Sequence, residues 1–354
     1  MTPAARVAAF CEDYALSAPI LLAPMAGACP PALSAAVASA GGMGACGALL
    51  MGPGEIGQWA SEVRSTSNGA FQINLWIPDP APHRDPAHEA ELRALLAGWG
   101  PPVPPEAGDA GLLDFAAQCD AMLAAGPAVI SSIMGVYPPE FVQRMKSAGI
   151  RWFATATTVA EALEAEAAGA DVIVAQGMEA GGHRGAFQAD EAARRLVGLF
   201  SLLPAVADAV QVPVVATGGI ADARGVAAAL LLGASAVQIG TGFLRTPEAA
   251  ISPAWADGLS RARPEDTLAT RAYSGRLGRA LRTGFAETAE TWPAPAPYPV
   301  QRGLTAPMRA AAAREGRLDA MQAWAGQSAG LAQAVPAGDL VERLWADARA
   351  LLAI

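Results

Sequence analysis

A chain of 354 residues that is 53% hydrophobic and 16% charged has the composition of an ordered protein with one large core and room for an appendage. Its formal net charge of -9, without a basic stripe, argues against a nucleic-acid partner, because affinity for phosphate backbones comes mainly from grouped Lys and Arg. No run reaches the roughly 18 apolar residues of a membrane span, and no basic-then-apolar leader opens the chain, so the sequence predicts a cytoplasmic protein with no membrane partner.

In chain order, short apolar or small-residue runs occur at Ile20 to Met25, Met43 to Leu50, Phe71 to Ile77, Ala128 to Met134, Arg151 to Thr157, Asp171 to Gly177, Val212 to Gly219 and Ala236 to Phe243. Most are continuously apolar rather than alternating, as suits parallel strands buried on both faces. Between them lie helical patterns at Gly54 to Arg64, Asp114 to Ala125, Pro138 to Ala148, Val159 to Ala168, Asp190 to Val210 and Asp222 to Leu232. Strand-helix alternation leaves a doubly wound sheet or a (β/α)8 TIM barrel, and eight strands within about 240 residues favour the barrel.

Two segments break the rhythm. Pro78 to Gly111 is longer than an ordinary connection and reads as a lid or rim excursion. After the eighth strand, an Arg- and Pro-rich stretch reads as a small, mainly helical second domain of residues 254–307. Residues 1–253 and 308–354 then make the barrel, onto which the closing helical patterns pack.

Active sites of such barrels form where the strands end, so the residues after each run carry the functional reading. The first run leads into Ala23-Pro24-Met25-Ala26-Gly27, small enough for backbone to approach a flat ligand, and the third holds the polar Asn74. The sixth run ends in Gln176 and breaks into Gly177-Met178-Glu179-Ala180-Gly181-Gly182-His183-Arg184-Gly185. The seventh ends in Thr217-Gly218-Gly219-Ile220 and the eighth in Gln238-Ile239-Gly240-Thr241-Gly242. Paired glycine turns at this strand interval free backbone N–H groups to converge on a phosphate. A phosphate tail beside small-residue floors, Asn74 and Gln176 suggests a planar cofactor, for which FMN is the natural candidate. No GxGxxG turn opens a dinucleotide-binding unit.

His183 sits where proton transfer near neutrality is chemically available. His83 and His88 read as solvated loop residues, and Trp292 and Tyr298 as packing or pocket-wall aromatics. Arg302 and Arg309 are candidates to attract an anion. Cys11, Cys29, Cys46 and Cys119 lack metal-ligand spacing and read as reduced, so no metal site is expected.

These elements, together with Gln72-Ile73-Asn74 and Trp324-Ala325-Gly326-Gln327, resemble the nitronate monooxygenase family, formerly 2-nitropropane dioxygenases, in order from about residue 20 to 330. The Glu-Ala-Gly-Gly-His-Arg-Gly element is shared with FMN-dependent enoyl-acyl carrier protein reductases. The resemblance implies a TIM barrel with a small second domain, tightly bound FMN, and oxidation of alkyl nitronates by O2 to a carbonyl compound and nitrite. It further implies that Asn74, Gln176, Gly181, Gly182, Gly218, Gly219, Gln238, Gly240 and Thr241 contact FMN, that Met25 lies beneath the ring, and that His183 is catalytic. His183 would act either as a base toward a nitroalkane or as an imidazolium holding the nitro group, and the sequence does not separate these roles. Nor does it decide between a monomer and a homodimer.

Two other readings stay open. An FMN-dependent NAD(P)H reductase of enoyl thioesters or quinones could use the same cradle, with Arg261, Arg263, Arg271, Arg276, Arg279 and Arg282 as a docking patch for a carrier protein. A non-redox phosphate-binding barrel is the third, although the single lysine, Lys146, is expected to face away from the site and so argues against a Schiff-base aldolase.

Overall fold

A computed structural model of the chain describes every residue except Asn68, Ala110 and Ile354, of which Ala110 falls within the excursion Pro78 to Gly111. The eight apolar runs become β1 (Ile20–Leu22), β2 (Gly44–Gly47), β3 (Phe71–Trp76), β4 (Val129–Ile133), β5 (Arg151–Ala156), β6 (Val172–Gln176), β8 (Val214–Thr217) and β9 (Ala236–Ile239); a two-residue strand, β7 (Gly182–His183), lies outside the barrel. The eight pair in parallel in the order β1-β9-β8-β6-β5-β4-β3-β2. Closure comes from the Leu22 N–H donating to the Met43 carbonyl (2.9 Å) and the Met43 N–H donating to the Ile20 carbonyl (3.1 Å). The result is the (β/α)8 barrel that the strand count predicts.

Alternation along the strands separates two apolar layers. Ile20, Leu22, Ala154, Ile173, Ala175 and Val237 face outward into a core shared with helical residues such as Leu33, Val37, Ile56 and Leu203. Leu21, Phe153, Val172, Val174, Val215 and Ala236 face inward and meet Phe10 and Tyr14 from the helix Pro3–Asp13. These rings pack tightly, with Phe10 and Tyr14 4.7 Å apart and Tyr14 5.1 Å from Phe153. They fill the interior at the strands' N-terminal ends, opposite the mouth at which a cavity opens.

The helices start where side chains meet their orphan amides. Asp114 accepts from Ala117 N, Thr158 from Glu161 N, and Asp222 from Gly225 N. The helix expected over Asp190 to Val210 is shorter, Leu199–Ala209, preceded by a 3-10 turn at Ala189–Glu191. Tertiary bonds override the local propensity: Met178 N–H donates to the Val197 carbonyl, and the Glu179 carboxylate accepts the Leu199 N–H at 2.9 Å. The helix therefore begins at the glycine loop it abuts.

The excursion Pro78 to Gly111 contains a helix, Pro86–Leu96, capped by Asp85. Its Leu92 and Leu96 join a second apolar cluster with Tyr273, Phe285, Val300, Leu304, Met308 and Ala312. The segment after β9 adds two strands, β10 (Thr267–Thr270) and β11 (Gly278–Leu281), which form an antiparallel sheet in the order β10-β11-β7. The closing helix Ala337–Leu352 packs its Leu340, Val341 and Leu344 into the barrel's outer core. No helix among the described residues is long and apolar enough to cross a membrane.

Candidate active site

A cavity of about 250 Å³ opens at the C-terminal ends of the barrel strands. Met25, Asn74, Gln176, Gly181, Gly182, His183, Gly218, Gly219, Gln238, Gly240 and Thr241 all line it. The structure thus brings together the residues that the sequence nominates for catalysis and cofactor contact. Among the described residues no Asp, Glu or Lys is in the lining, and its guanidiniums are those of Arg302 and Arg309. A space with cations at its wall and no opposing carboxylate favours anionic ligands.

One end is built from backbone. After β8, Gly218 and Gly219 take φ of +106° and +70°, a region side-chain-bearing residues rarely enter, and their amides donate to no acceptor among the described residues. After β9, Thr241 opens a 3-10 turn, and its Oγ1 accepts the Gly326 N–H at 3.0 Å. Gly181 is held at close range to the same strip, because a Cβ there would lie 2.4 Å from Gly326 N. Met25 backs Gly240, with its sulfur 3.4 Å from where a Cβ would stand.

The floor is polar but ordered. Asn74 donates from Nδ2 to Ser131 Oγ at 3.1 Å, which leaves Oδ1 without a partner among the described residues. Gln238 accepts from Gln72 at 2.9 Å and keeps its Nε2 unpartnered. Gln176 differs. Its Nε2 donates to the His183 carbonyl (3.0 Å) and its Oε1 accepts the Gly185 N–H (2.8 Å), so its amide is spent on holding the loop.

The opposite end carries His183. Its backbone pairs with Gly278 as β7 meets β11, and its half-buried ring is flanked edge-on by Trp76 at 4.6 Å and Trp324 at 4.7 Å. Trp324 reaches the same strand by an antiparallel bridge to Ala280. Burial, reinforced by the positive charges of Arg276, Arg302 and Arg309, pushes the imidazole pKa down to about 3. The direction of that shift favours the neutral imidazole. The permanent positive charges at the cavity wall are those of the arginines. Arg309 is fixed by Thr305 Oγ1, Gln322 Oε1 and the Arg302 carbonyl, all neutral, and burial lowers its pKa to about 10. The Arg302 side chain makes no hydrogen bond or ion pair among the described residues.

Other candidates lie elsewhere. Trp292 packs on Phe285 within the second apolar cluster, and buried Tyr298 packs on Trp76 at 5.3 Å without lining the main cavity. His83 is exposed, and His88 sits in a helical first turn bonded to the Ala294 carbonyl. Three of the six arginines proposed as a docking patch are committed inward: Arg276 to Asp79, Arg279 to the Met178 carbonyl, and Arg271 to the carbonyls of Gly275 and Ala189. Lys146 is exposed on the outer helix Pro139–Ser147, away from the cavity. The described cysteines are unpaired, and no group of acidic, His or Cys residues suited to a metal occurs among the described residues. Sequence reasoning missed Ser274, which bonds His183, and the two flanking indoles as site elements. They lie far from His183 along the chain, and although Trp324 belongs to one of the elements shared with the family, nothing in its local sequence places it against the imidazole.

A family model described as nitronate monooxygenase matches residues 9–347. Among curated relatives, a nitronate monooxygenase of Paraburkholderia phytofirmans is 39% identical over 92% of this chain and 91% of its own length. A probable nitronate monooxygenase of Staphylococcus aureus is 34% identical over 92% and 93%. Among solved structures, the nitroalkane oxidase of Streptomyces ansochromogenes superposes with a TM-score of 0.88 at 36% identity, covering 96% of this chain and 99% of that one. FabK of Thermotoga maritima follows at 0.76 and 28%, with 98% and 97% covered. Match length and site geometry agree: the chain belongs to the nitronate monooxygenase family, whose enzymes are flavin-dependent oxidoreductases.

Proposed function

We propose that this protein is an FMN-dependent enzyme that oxidises alkyl nitronates with O2 to a carbonyl compound and nitrite. The observation that carries the reading is one cavity with unpaired glycine amides at one end, an imidazole with two guanidiniums at the other, and no carboxylate among the described lining residues between them. The residues fit FMN: Gly218, Gly219, Gly240 and Thr241 would receive the phosphate, Gly181 and Gly182 would allow close backbone approach, and Asn74 and Gln238 offer free polar atoms to the ring. Gln176 would serve the ring mainly by shaping the loop, and Met25 would support it from below. Bound there, FMN supplies the electron-transfer chemistry that a nitronate carbon and O2 require.

The chain's own residues then do three things. Arg302 and Arg309 hold the anionic nitro oxygens; Trp76 and Trp324 keep water off the imidazole; and neutral His183 is the proton acceptor when the substrate arrives as the nitroalkane. Likeness to FabK favours one second reading, a reductase fed by NAD(P)H, and the inward commitment of Arg271, Arg276 and Arg279 weighs against its carrier-protein version. An absorption spectrum of the purified protein, followed on anaerobic mixing with propionate 3-nitronate and separately with NADPH, tests the proposal. Flavin absorbance that responds to the nitronate and ignores NADPH is expected. Fast bleaching by NADPH with no response to the nitronate would move the protein to the reductase class.

A further inference from the structure

The imidazole of His183 has two nitrogens, and the structure accounts for one. Nε2 lies 2.8 Å from Ser274 Oγ. That hydroxyl also stands 3.2 Å from the carbonyl oxygen of Arg276. Both residues are buried, Ser274 at 1% exposure and Arg276 at 2%. A serine hydroxyl has a single proton to give. Among the described residues nothing else donates to the Arg276 carbonyl, so turning that proton toward Nε2 would leave a buried acceptor empty. Turning it toward the carbonyl satisfies both contacts on one condition, that Nε2 carries the proton and donates it to Oγ. Nδ1 has no partner among the described residues, and the ring lines the cavity.

We propose that Ser274 is a positioning residue that fixes His183 as the Nε2–H tautomer and thereby presents a bare Nδ1 lone pair to the cavity. Ser274 is itself held in place, because the chain on either side is anchored: the Ser274 N–H donates to the Arg271 carbonyl, and the Arg276 guanidinium pairs with Asp79 and bonds the Ala186 carbonyl. The indoles of Trp76 and Trp324 restrain the ring from both sides, so a tautomer set by Ser274 is also an orientation. The consequence for chemistry rests on the proposed function. With a neutral nitroalkane, the α C–H bond breaks and its proton goes to Nδ1. The electron pair becomes the carbon-nitrogen double bond of the nitronate, and the negative charge settles on nitro oxygens that Arg302 and Arg309 can hold. A nitronate that arrives already ionised skips this step. Ser274 therefore matters for one protonation state of the substrate and hardly for the other.

Two readouts test this. In nitrogen-15 spectra of the flavin-loaded enzyme, the His183 signals, identified by their loss in His183→Asn, are expected to show a protonated Nε2 and a bare Nδ1; a protonated Nδ1 overturns the proposal whatever the substrate is. In turnover, Ser274→Ala is expected to keep its flavin and to lose about tenfold or more in kcat/KM for nitroethane, while kcat/KM for preformed ethyl nitronate stays within about threefold. Ser274→Thr, which keeps the hydroxyl, is expected to restore nitroethane turnover. An equal loss on both substrates, or none on either, sinks the positioning role. Failure of the wild-type protein to oxidise any nitronate would instead count against the proposed function, with the tautomer still decided by the spectra.

Discussion

His183 shows how environment, rather than residue type, sets a role. Its depressed pKa keeps it uncharged, so His183→Asn is expected to retain bound flavin while losing about 100-fold or more in turnover of a neutral nitroalkane. Unchanged activity would remove the base assignment. The same shift has a sign for stability. The unfolded chain takes up a proton below about pH 6.5 that the folded chain refuses until about pH 3, so this residue costs nothing above the upper value and weakens the fold progressively as pH falls below it. The nearby positive charges of Arg276, Arg302 and Arg309 act in the same direction as burial, disfavouring the protonated ring, so they do not reverse the sign. At the cradle, Gly219→Asp would force a side chain into a positive-φ position against Glu179 and set a carboxylate beside the phosphate site. Colourless purified protein is expected; full flavin content would refute the placement of the phosphate there.

At the scale of elements, the loop after β6 is held by many bonds that converge from distant segments. Gln176 bonds both His183 and Gly185, Arg184 reaches the Thr157 carbonyl, and Arg279 reaches the Met178 carbonyl. The ion pair between Asp79 and the almost wholly buried Arg276 ties the rim excursion to the residues just before β11. Asp79→Asn leaves that guanidinium buried without its counter-charge, so a loss of about 3 kcal/mol in unfolding free energy is expected from denaturant titration, where a surface pair would lose under about 1. The strands, the glycine turns and the one imidazole that lines the cavity among the described residues were legible because each depends on local sequence: apolar runs, backbone freedom, and a histidine near a strand end. Ser274, Trp76 and Trp324 were not legible as partners of that imidazole, because their proximity arises from pairing with β11 and from barrel closure. The overextended helix before Leu199 has the same origin, since Glu179, not the residues around position 190, sets where it begins.

For the whole molecule, the cavity is lined both by barrel residues such as Met25, Asn74 and Gly218 and by residues after β9 such as Arg302, Arg309 and Trp324, so a ligand filling it should stabilise both together. Stripping the flavin is expected to lower the melting temperature, and restoring it at about 100 times its Kd should return about 2.7 kcal/mol, with one transition rather than two. Separate transitions for the two parts in the loaded protein would show that the cavity does not couple them.

The edge of β11 receives His183 and Trp324 as neighbours, and its own segment also supplies Ser274, Arg302, Arg309 and Gln322. On the proposed reading, the barrel loops contribute the cofactor's cradle together with His183 and Trp76, and the later segment contributes the residues that hold the substrate's charge and orient the imidazole. Inheritance can therefore act on the two separately. Exchange of residues 270–325 between relatives should transplant the choice of nitro compound while the recipient keeps its colour, and divergence of activity within the family need leave no trace in the eight strands.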